Sequence, residues 1–359
     1  MAEEGEEEII DEENSLKCIF ARSFDDLIFR NKLGQLCASY LGGIWTTVPC
    51  QQIRITVEKN LGPRLLGIFP GGRFEEYIPS RPLTNNEYCK SCIAQEVGRI
   101  LARVHSLDMP VNKAYRLTQF TDDMIESLKG SNRWTRSYPM NTTLMKIDKK
   151  LCPDFITIDL LTKELEICKE CLARSGSPLV FSNNDLHEGN LLLRDGIEVT
   201  DHGFIGRKVD EDPIVLIDYE HGCYFYRGFD LCHYCVECCQ HNDGKVWPFY
   251  EVKQEQWPNE EIQRSYVAAY IDEANRIWRK KGGKKMQCII DLSDDREVAI
   301  QHLLNEIRQF AAFPQLFWAI WSFQCVENGQ KEFGHFEYGF DRLAMYYYWK
   351  PEMLKYLEQ

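Results

Sequence analysis

Apolar residues return every three or four positions along several stretches of the chain, with short β-branched runs between them. Phe24 to Leu41 keeps the helical period and stops at Gly42-Gly43. Trp45 to Val57, rich in threonine, valine and isoleucine, predicts extended chain. Leu65 to Phe69 and Arg73 to Ile78 flank Pro70-Gly71-Gly72 and predict a hairpin; no helix start follows the glycines, so they do not read as a phosphate loop. Thr84-Asn85-Asn86-Glu87 has capping-box spacing and opens a helix predicted to reach about Ser106. Helices are also predicted over Gln119 to Leu128 and over Thr157 to Ala173, the latter ended by Gly176 and Pro178. Leu179 to Phe181 predicts a short buried strand. Leu191 to Leu193 and Ile214 to Ile217 predict a strand pair, separated by a polar stretch from Asp195 to Pro213. Beyond Glu260 the pattern is helical, over Gln263 to Arg279 and over Glu297 to Val326, where Pro314 is predicted to kink the second helix. A small strand-rich part therefore precedes a large helical one, which is an α+β layout. We divide the chain into an acidic tail at 1–20, a partial N-terminal lobe at 21–82 and a C-terminal lobe at 83–359.

Composition changes this picture little. The 359 residues, 44% hydrophobic, suffice for a large core. No run approaches the ~18 apolar residues of a membrane span, and no basic-then-apolar leader opens the chain, so the expectation is a cytoplasmic protein. Glu3, Glu4, Glu6, Glu7, Glu8, Asp11, Glu12 and Glu13 account for eight of the thirteen excess negative charges, as a solvated tail would. Nucleic acid as a partner is excluded, since it calls for clustered bases. Among the fifteen cysteines, Cys89/Cys92 and Cys168/Cys171 have zinc-ligand spacing. Each pair falls on an apolar helical face, Cys168 with Ile158, Leu161, Leu165 and Leu172, and Cys89 with Ile93, Val97, Ile100 and Val104. There cysteine serves as a small core hydrophobe.

The candidate chemistry lies in Asn184-Asp185-Leu186-His187-Glu188-Gly189-Asn190 and in Ile217-Asp218-Tyr219-Glu220. Asp185 and Asn190 stand in D-x4-N spacing, and Asp218 follows an apolar strand. A phosphoryl transferase using ATP and Mg²⁺ needs this set: Asp185 as the catalytic carboxylate that orients the attacking hydroxyl, Asn190 and Asp218 as oxygen ligands for the metal. An Asx-rich turn between strands is the competing reading.

The surrounding residues decide between them. Ile217-Asp218-Tyr219-Glu220 followed by Tyr224-Phe225-Tyr226-Arg227-Gly228-Phe229-Asp230 resembles the signature of the choline/ethanolamine kinase family. Leu61-Gly62-Pro63-Arg64-Leu65, Phe74 to Arg81, His105 with Met109-Pro110, and Phe317 to Trp321 agree in order, so the resemblance runs from about 24 to 348. It implies a two-lobed protein-kinase-like fold, here with a truncated strand-rich N-lobe and a large, mainly helical C-lobe. It further implies ATP-dependent phosphorylation of choline or ethanolamine with Mg²⁺, the first step of phosphatidylcholine or phosphatidylethanolamine synthesis, and a homodimer. On the nucleotide side it points to Glu76, Tyr77 and Ile78.

On the substrate side, Trp318 and Trp321 project from one helical face and Tyr338 follows, an aromatic set suited to a quaternary ammonium at ~0.5–2 kcal/mol per ring. Glu237 is expected to add negative charge there, with His187, Glu220 and His221 lining the pocket, and Arg227 and Asp230 are expected to pair and brace the catalytic loops. The chain departs from the family pattern in one respect. Ile55-Thr56-Val57-Glu58-Lys59 passes directly into Asn60-Leu61-Gly62-Pro63, without the Gly-Gly-x-Ser-Asn phosphate loop, the arginine strand and the helix that the resemblance implies. An impaired, choline-binding relative is therefore the alternative to a turning-over kinase.

Overall fold

A computed structural model of the chain describes residues 61–69, 72–113, 117–145, 150–209, 211–330 and 332–358. The acidic tail, the Phe24 to Leu41 helix, the Trp45 to Val57 strand and the Ile55 to Lys59 junction lie outside these residues. The chain parts into two compact units. One includes the described residues between Leu61 and Pro79 together with Met109–Asn112. The other comprises Ser80–Asp108 and Lys113–Gln359.

In the smaller unit, β1 (Leu65–Phe69) and β2 (Gly72–Glu75) form the antiparallel hairpin that the glycine turn predicts. Its base is closed by Glu76, whose amide donates to the Arg64 carbonyl at 2.7 Å and whose carboxylate meets the Arg64 guanidinium at 3.2 Å.

The larger unit opens on β3 (Ser80–Pro82). Thr84 and Glu87 form the predicted capping box, but the helix it opens, α1, covers only Asn85–Tyr88. Lys90 is extended (ψ 145°), so a second helix, α2 (Ser91–His105), starts afresh. α3 (Leu117–Lys129) follows, and the short pair β4 (Tyr138–Pro139) and β5 (Phe155–Ile156) leads to α4 (Ile158–Arg174), capped by the Thr157 hydroxyl. β6 (Leu179–Ser182), β7 (Leu191–Arg194), β8 (Glu198–Thr200), β9 (Gly203–Ile205), β10 (Ile214–Leu216) and β11 (Cys223–Tyr226) come next. β7 and β10 pair as expected, with β3 on the other side of β7; the polar stretch between them holds a hairpin, β8–β9, that its composition does not announce. β11 pairs with β6.

After α5 (Arg227–Glu237), β12 (Gln240–His241) and β13 (Glu251–Val252) form a small pair. Four long helices complete the unit: α6 (Glu260–Lys281), α7 (Arg296–Phe310), α8 (Ala312–Glu327) and α9 (His335–Leu354). The stretch predicted as one kinked helix is thus two, α7 and α8. Pro314 sits in the first turn of α8, where its missing N–H costs no helical bond. Gly98 lets α2 approach α6 closely, since a Cβ there would stand 2.5 Å from the Tyr266 carbonyl oxygen. No helix among the described residues is long and apolar enough to cross a membrane.

Candidate active site

Two strand pairs position the candidate catalytic residues. β6 ends at Ser182 and the chain turns through Asn183 to Asn190 before entering β7. β10 runs antiparallel to β7 with Leu216 opposite Leu191, and the Ile217 amide donates to the Asn190 carbonyl at 2.9 Å. Asn190 and Asp218 therefore leave neighbouring strand ends. Asn184 (φ 65°) and Asp218 (φ 57°) both take the left-handed conformation, which residues other than glycine adopt at a cost. Such strain persists where surroundings enforce it, and here they do.

Asp230 on α5 is the enforcing group. Fully buried, its carboxylate accepts from the Asn183 amide at 2.8 Å and the Asn184 amide at 2.7 Å. His105 Nε2, from the end of α2, lies 3.1 Å from the same carboxylate, and His105 Nδ1 lies 2.9 Å from the Tyr270 hydroxyl. Asn184 Nδ2 donates to the His221 carbonyl at 2.9 Å, and Asn183 Nδ2 donates to the Asp218 carbonyl at 2.9 Å. Asn183 Oδ1 in turn accepts from the Asp185 amide at 3.1 Å. A single side chain, Asn183, thus ties the loop of Asp185 to the backbone of Asp218.

Asp185 and Asn190 are joined directly. Asn190 Nδ2 donates to the Asp185 carbonyl at 2.9 Å and to Asp185 Oδ2 at 3.1 Å. The amide nitrogen is spent on Asp185, and the amide oxygen is the atom left for a cation. His187 accepts from the Gly189 amide at Nδ1 (3.1 Å), which puts the ring proton of the neutral imidazole on Nε2, 3.9 Å from Asp185 Oδ2. His187 is accordingly a neighbour of the Asp185 carboxylate. Glu188, the next residue, is buried, and Oε2 has no hydrogen-bond partner among the described residues. Burial pushes this carboxyl up to about 6.

The expected pairing of Arg227 with Asp230 is not what the structure holds. Arg227, fully buried, meets Asp291 (2.7 and 2.8 Å) and Glu306 (2.5 and 3.2 Å) and donates to the Cys288 carbonyl at 2.9 Å. Burial acts to lower its pKa, but Glu306 and Asp291 outweigh that and hold it above the usual value. Arg227 fastens α5 to α7, and Asp230 fastens the catalytic loop to α5. They brace the site separately because each is already matched elsewhere, Arg227 by Asp291 and Glu306 and Asp230 by the loop amides and His105. Asp291, His302 and Glu306 form the one group of metal-ligand type among the described residues, and Arg227 already pairs with both of its carboxylates. All twelve described cysteines are free thiols outside such a group.

Trp318 and Trp321 lie side by side on α8. Trp318 is buried and Trp321 half-buried on α8, their rings perpendicular with centroids 5.3 Å apart. His221 lies edge-on to Trp318 at 5.7 Å, and Glu220 beside it is exposed. His233, on α5, links this wall to the catalytic loop. Its Nε2 accepts from the Trp318 indole at 2.9 Å, and its Nδ1 lies 3.3 Å from the Leu186 amide. Tyr338 on α9 is buried beneath the Arg342 guanidinium, 4.8 Å from the ring centroid.

Glu237 differs from expectation. It is buried and bound to Arg342 at 2.8 and 3.1 Å, so its charge is already matched. Burial acts to raise its carboxyl, but Arg342 and then His233 outweigh it and hold the group down at about 2. Sequence reasoning missed Arg342, whose signal was its place four residues after Tyr338. It also assigned no role to Asn183, His105 or His233. Glu76, Tyr77 and Ile78 lie in the smaller unit, just after the hairpin; Tyr77 is 83% exposed and Glu76 is engaged by Arg64.

A family model described as choline/ethanolamine kinase matches residues 48–347. Choline kinase A2 of Caenorhabditis elegans is 26% identical over 399 residues, covering 91% of this chain and 87% of the relative. The human choline/ethanolamine kinase is 27% identical over 301 residues, covering 83% of this chain and 67% of the relative. Among solved structures, a choline kinase from Cryptosporidium parvum has a TM-score of 0.60 at 20% identity, over 92% of this chain and 80% of its own. An ethanolamine kinase from Plasmodium vivax has a TM-score of 0.56 at 18% identity, over 82% of this chain and 70% of its own. These likenesses show the fold, an α+β fold of protein-kinase type.

Proposed function

Because this chain belongs to the choline/ethanolamine kinase family, we propose that it transfers the γ-phosphoryl group of ATP to the hydroxyl of choline or ethanolamine. The observation that carries this reading is the bond pair from Asn190 Nδ2 to Asp185, which fixes the catalytic carboxylate and leaves the Asn190 amide oxygen for a hard cation, with Asp218 following the residue bonded to the Asn190 carbonyl. An amide oxygen with a carboxylate is a donor set that fits Mg²⁺. When bound, the metal neutralises charge on the transferring phosphoryl oxygens.

The chain's own residues do the rest. Asp185 accepts the proton of the substrate hydroxyl or aligns its lone pair toward phosphorus. Asn183, Asn184 and Asp230 hold that carboxylate in register. Trp318, Trp321 and Tyr338 offer ring faces to a cationic nitrogen, and His221 and His187 line the approach. Glu76, Tyr77 and Ile78 are assigned to the adenine side. A reducing, cytoplasmic setting is part of this reading.

The test is ADP release from the purified chain with ATP and Mg²⁺, offered choline, ethanolamine or an aminoglycoside. Turnover on the amino alcohols alone is expected. Turnover on the aminoglycoside alone, or on none of the three, would reject the reading.

A further inference from the structure

Cys89 and Cys92, neighbours in sequence spacing, turn to different partners. Cys92, on α2, donates its S–H to the Thr200 carbonyl of β8 at 3.7 Å. Cys89, the C-cap of α1, donates to the carbonyl of Cys238, the C-cap of α5, at 3.6 Å, which puts its sulfur within one side chain's reach of the Cys238 backbone. The Cys238 thiol hydrogen-bonds to the Cys89 sulfur and so holds the Cys89 thiol below its ordinary range. Burial, and then the same contact, push Cys238 above that range. Cys89 is half-buried and Cys238 is 1% exposed, so a dissolved oxidant meets the first and not the second. A reachable, acidified thiol against a buried second one is the arrangement of a nucleophile and its resolving partner.

The surroundings couple this pair to the Asp185 loop. Tyr88, the residue before Cys89, donates its hydroxyl to the Leu186 carbonyl at 3.0 Å. Tyr234, four residues before Cys238, donates its hydroxyl to the Tyr88 carbonyl at 2.8 Å. Asp230 and His233, on the same helix, hold amides of that loop. The loop is thus held from α1 and from α5, and the two cysteines stand where these helices end.

We propose that Cys89 and Cys238 are a reversible redox pair that closes to a disulfide under a peroxide and thereby restrains the loop carrying Asp185. The Cys89 thiolate attacks one peroxide oxygen; the O–O bond breaks, and hydroxide leaves as water with the proton of the Cys89 thiol. Cys238 then attacks the sulfur of the resulting sulfenic acid. The S–S bond forms, the S–O bond breaks, and hydroxide leaves as water with the Cys238 proton. Two thiols lose two electrons and one peroxide becomes two waters. In a reducing compartment such a bond is transient and regulatory. Closing it draws two hydrogen-bonded sulfurs to covalent distance, and the shift falls on the four-residue α1 and not on the wholly buried α5. Tyr88 moves with α1 and carries the Leu186 carbonyl, next to Asp185, with it.

The effect on turnover rests on the function proposed above. Reduced protein is treated with hydrogen peroxide in slight excess, mapped by peptide mass spectrometry without reductant, and assayed for ADP release with ATP, Mg²⁺ and choline or ethanolamine. Wild type and Cys92→Ser are expected to gain a Cys89–Cys238 linkage, lighter by two hydrogens; Cys89→Ser and Cys238→Ala are not. In the linked proteins kcat is expected to fall by roughly 3- to 100-fold, the upper value matching a ~1 Å displacement of a positioned group, and to recover in dithiothreitol. Cys89→Ser, at a half-buried position, carries the comparison if Cys238→Ala does not fold. Two free thiols after peroxide, a different linkage, or linkage with unchanged kcat overturns the redox pair and leaves the proposed function standing. A reduced wild type that turns over neither amino alcohol overturns the proposed function. The pair then stands only if the linkage forms and peroxide shifts the urea midpoint of the wild type and not of Cys89→Ser, and it falls otherwise.

Discussion

Replacing Asp230 with asparagine tests whether the catalytic loop is held from α5. The carboxylate accepts two buried backbone N–H groups, at 2.8 and 2.7 Å, and lies 3.1 Å from His105 Nε2. An asparagine retains one carbonyl oxygen and turns an NH₂ toward a group that also donates. A hydrogen bond to a charged acceptor contributes ~1.5–3 kcal/mol, and a buried donor left unmatched costs ~1–3 kcal/mol more. The variant should therefore lose about 3–5 kcal/mol of unfolding free energy in a urea titration. Asn183 also holds Asp218 and the Asp185 amide, so a loosened loop displaces the catalytic carboxylate. A shift of ~1 Å in a positioned group costs about 100-fold in rate. Steady-state kinetics on the folded variant should show kcat falling by about that factor with KM within about threefold. If stability falls while kcat and KM both stay at wild-type values, Asp230 braces the fold and not the chemistry, and the positioning argument fails.

Other consequences are checked more simply. Asp185→Asn should lower kcat by at least ~10²-fold with little change in choline affinity by calorimetry; equal losses in both would place Asp185 in binding. Trp321→Ala should raise KM for choline by roughly 2- to 30-fold, the loss of one ring at ~0.5–2 kcal/mol, and an unchanged KM would remove it from the pocket. Arg227→Met leaves Asp291 and Glu306 without their cation and should cost about 3–5 kcal/mol of stability by urea titration; a variant as stable as the wild type would contradict the bracing role. For Glu237, the folded carboxyl at about 2 lies below its ordinary 4.5. Its contribution is present above about 4.5 and is lost as pH falls toward about 2. Glu237→Gln should thus flatten the decline of the urea midpoint between pH 5 and pH 3, and an unaltered slope would show that the group does not titrate as described.

The strand ends that carry the candidate trio were legible because their logic is local. D-x4-N spacing and a strand-terminal aspartate survive in a single reading of the chain, and β7 and β10 bring them together as their apolar runs predict. The partners of buried charges were not legible. Arg227 finds Asp291 and Glu306, 64 and 79 residues away, and Glu237 finds Arg342, 105 away. Nothing in local spacing distinguishes these from the nearer Asp230. Helix ends were half legible. The capping box at Thr84 formed as read, but the extended Lys90 broke the helix one turn later. Pro314 marked a discontinuity, which turned out to be a helix start and not a kink.

The central claim is that Asp185, Asn190 and Asp218 form a working phosphotransfer site for an amino alcohol. The direct measurement is ³¹P NMR of wild type and Asp185→Ala incubated with ATP, Mg²⁺ and choline or ethanolamine. A phosphomonoester resonance growing with ADP in the wild type and absent from the variant is the predicted result. Choline bound but left unphosphorylated by both proteins would contradict it.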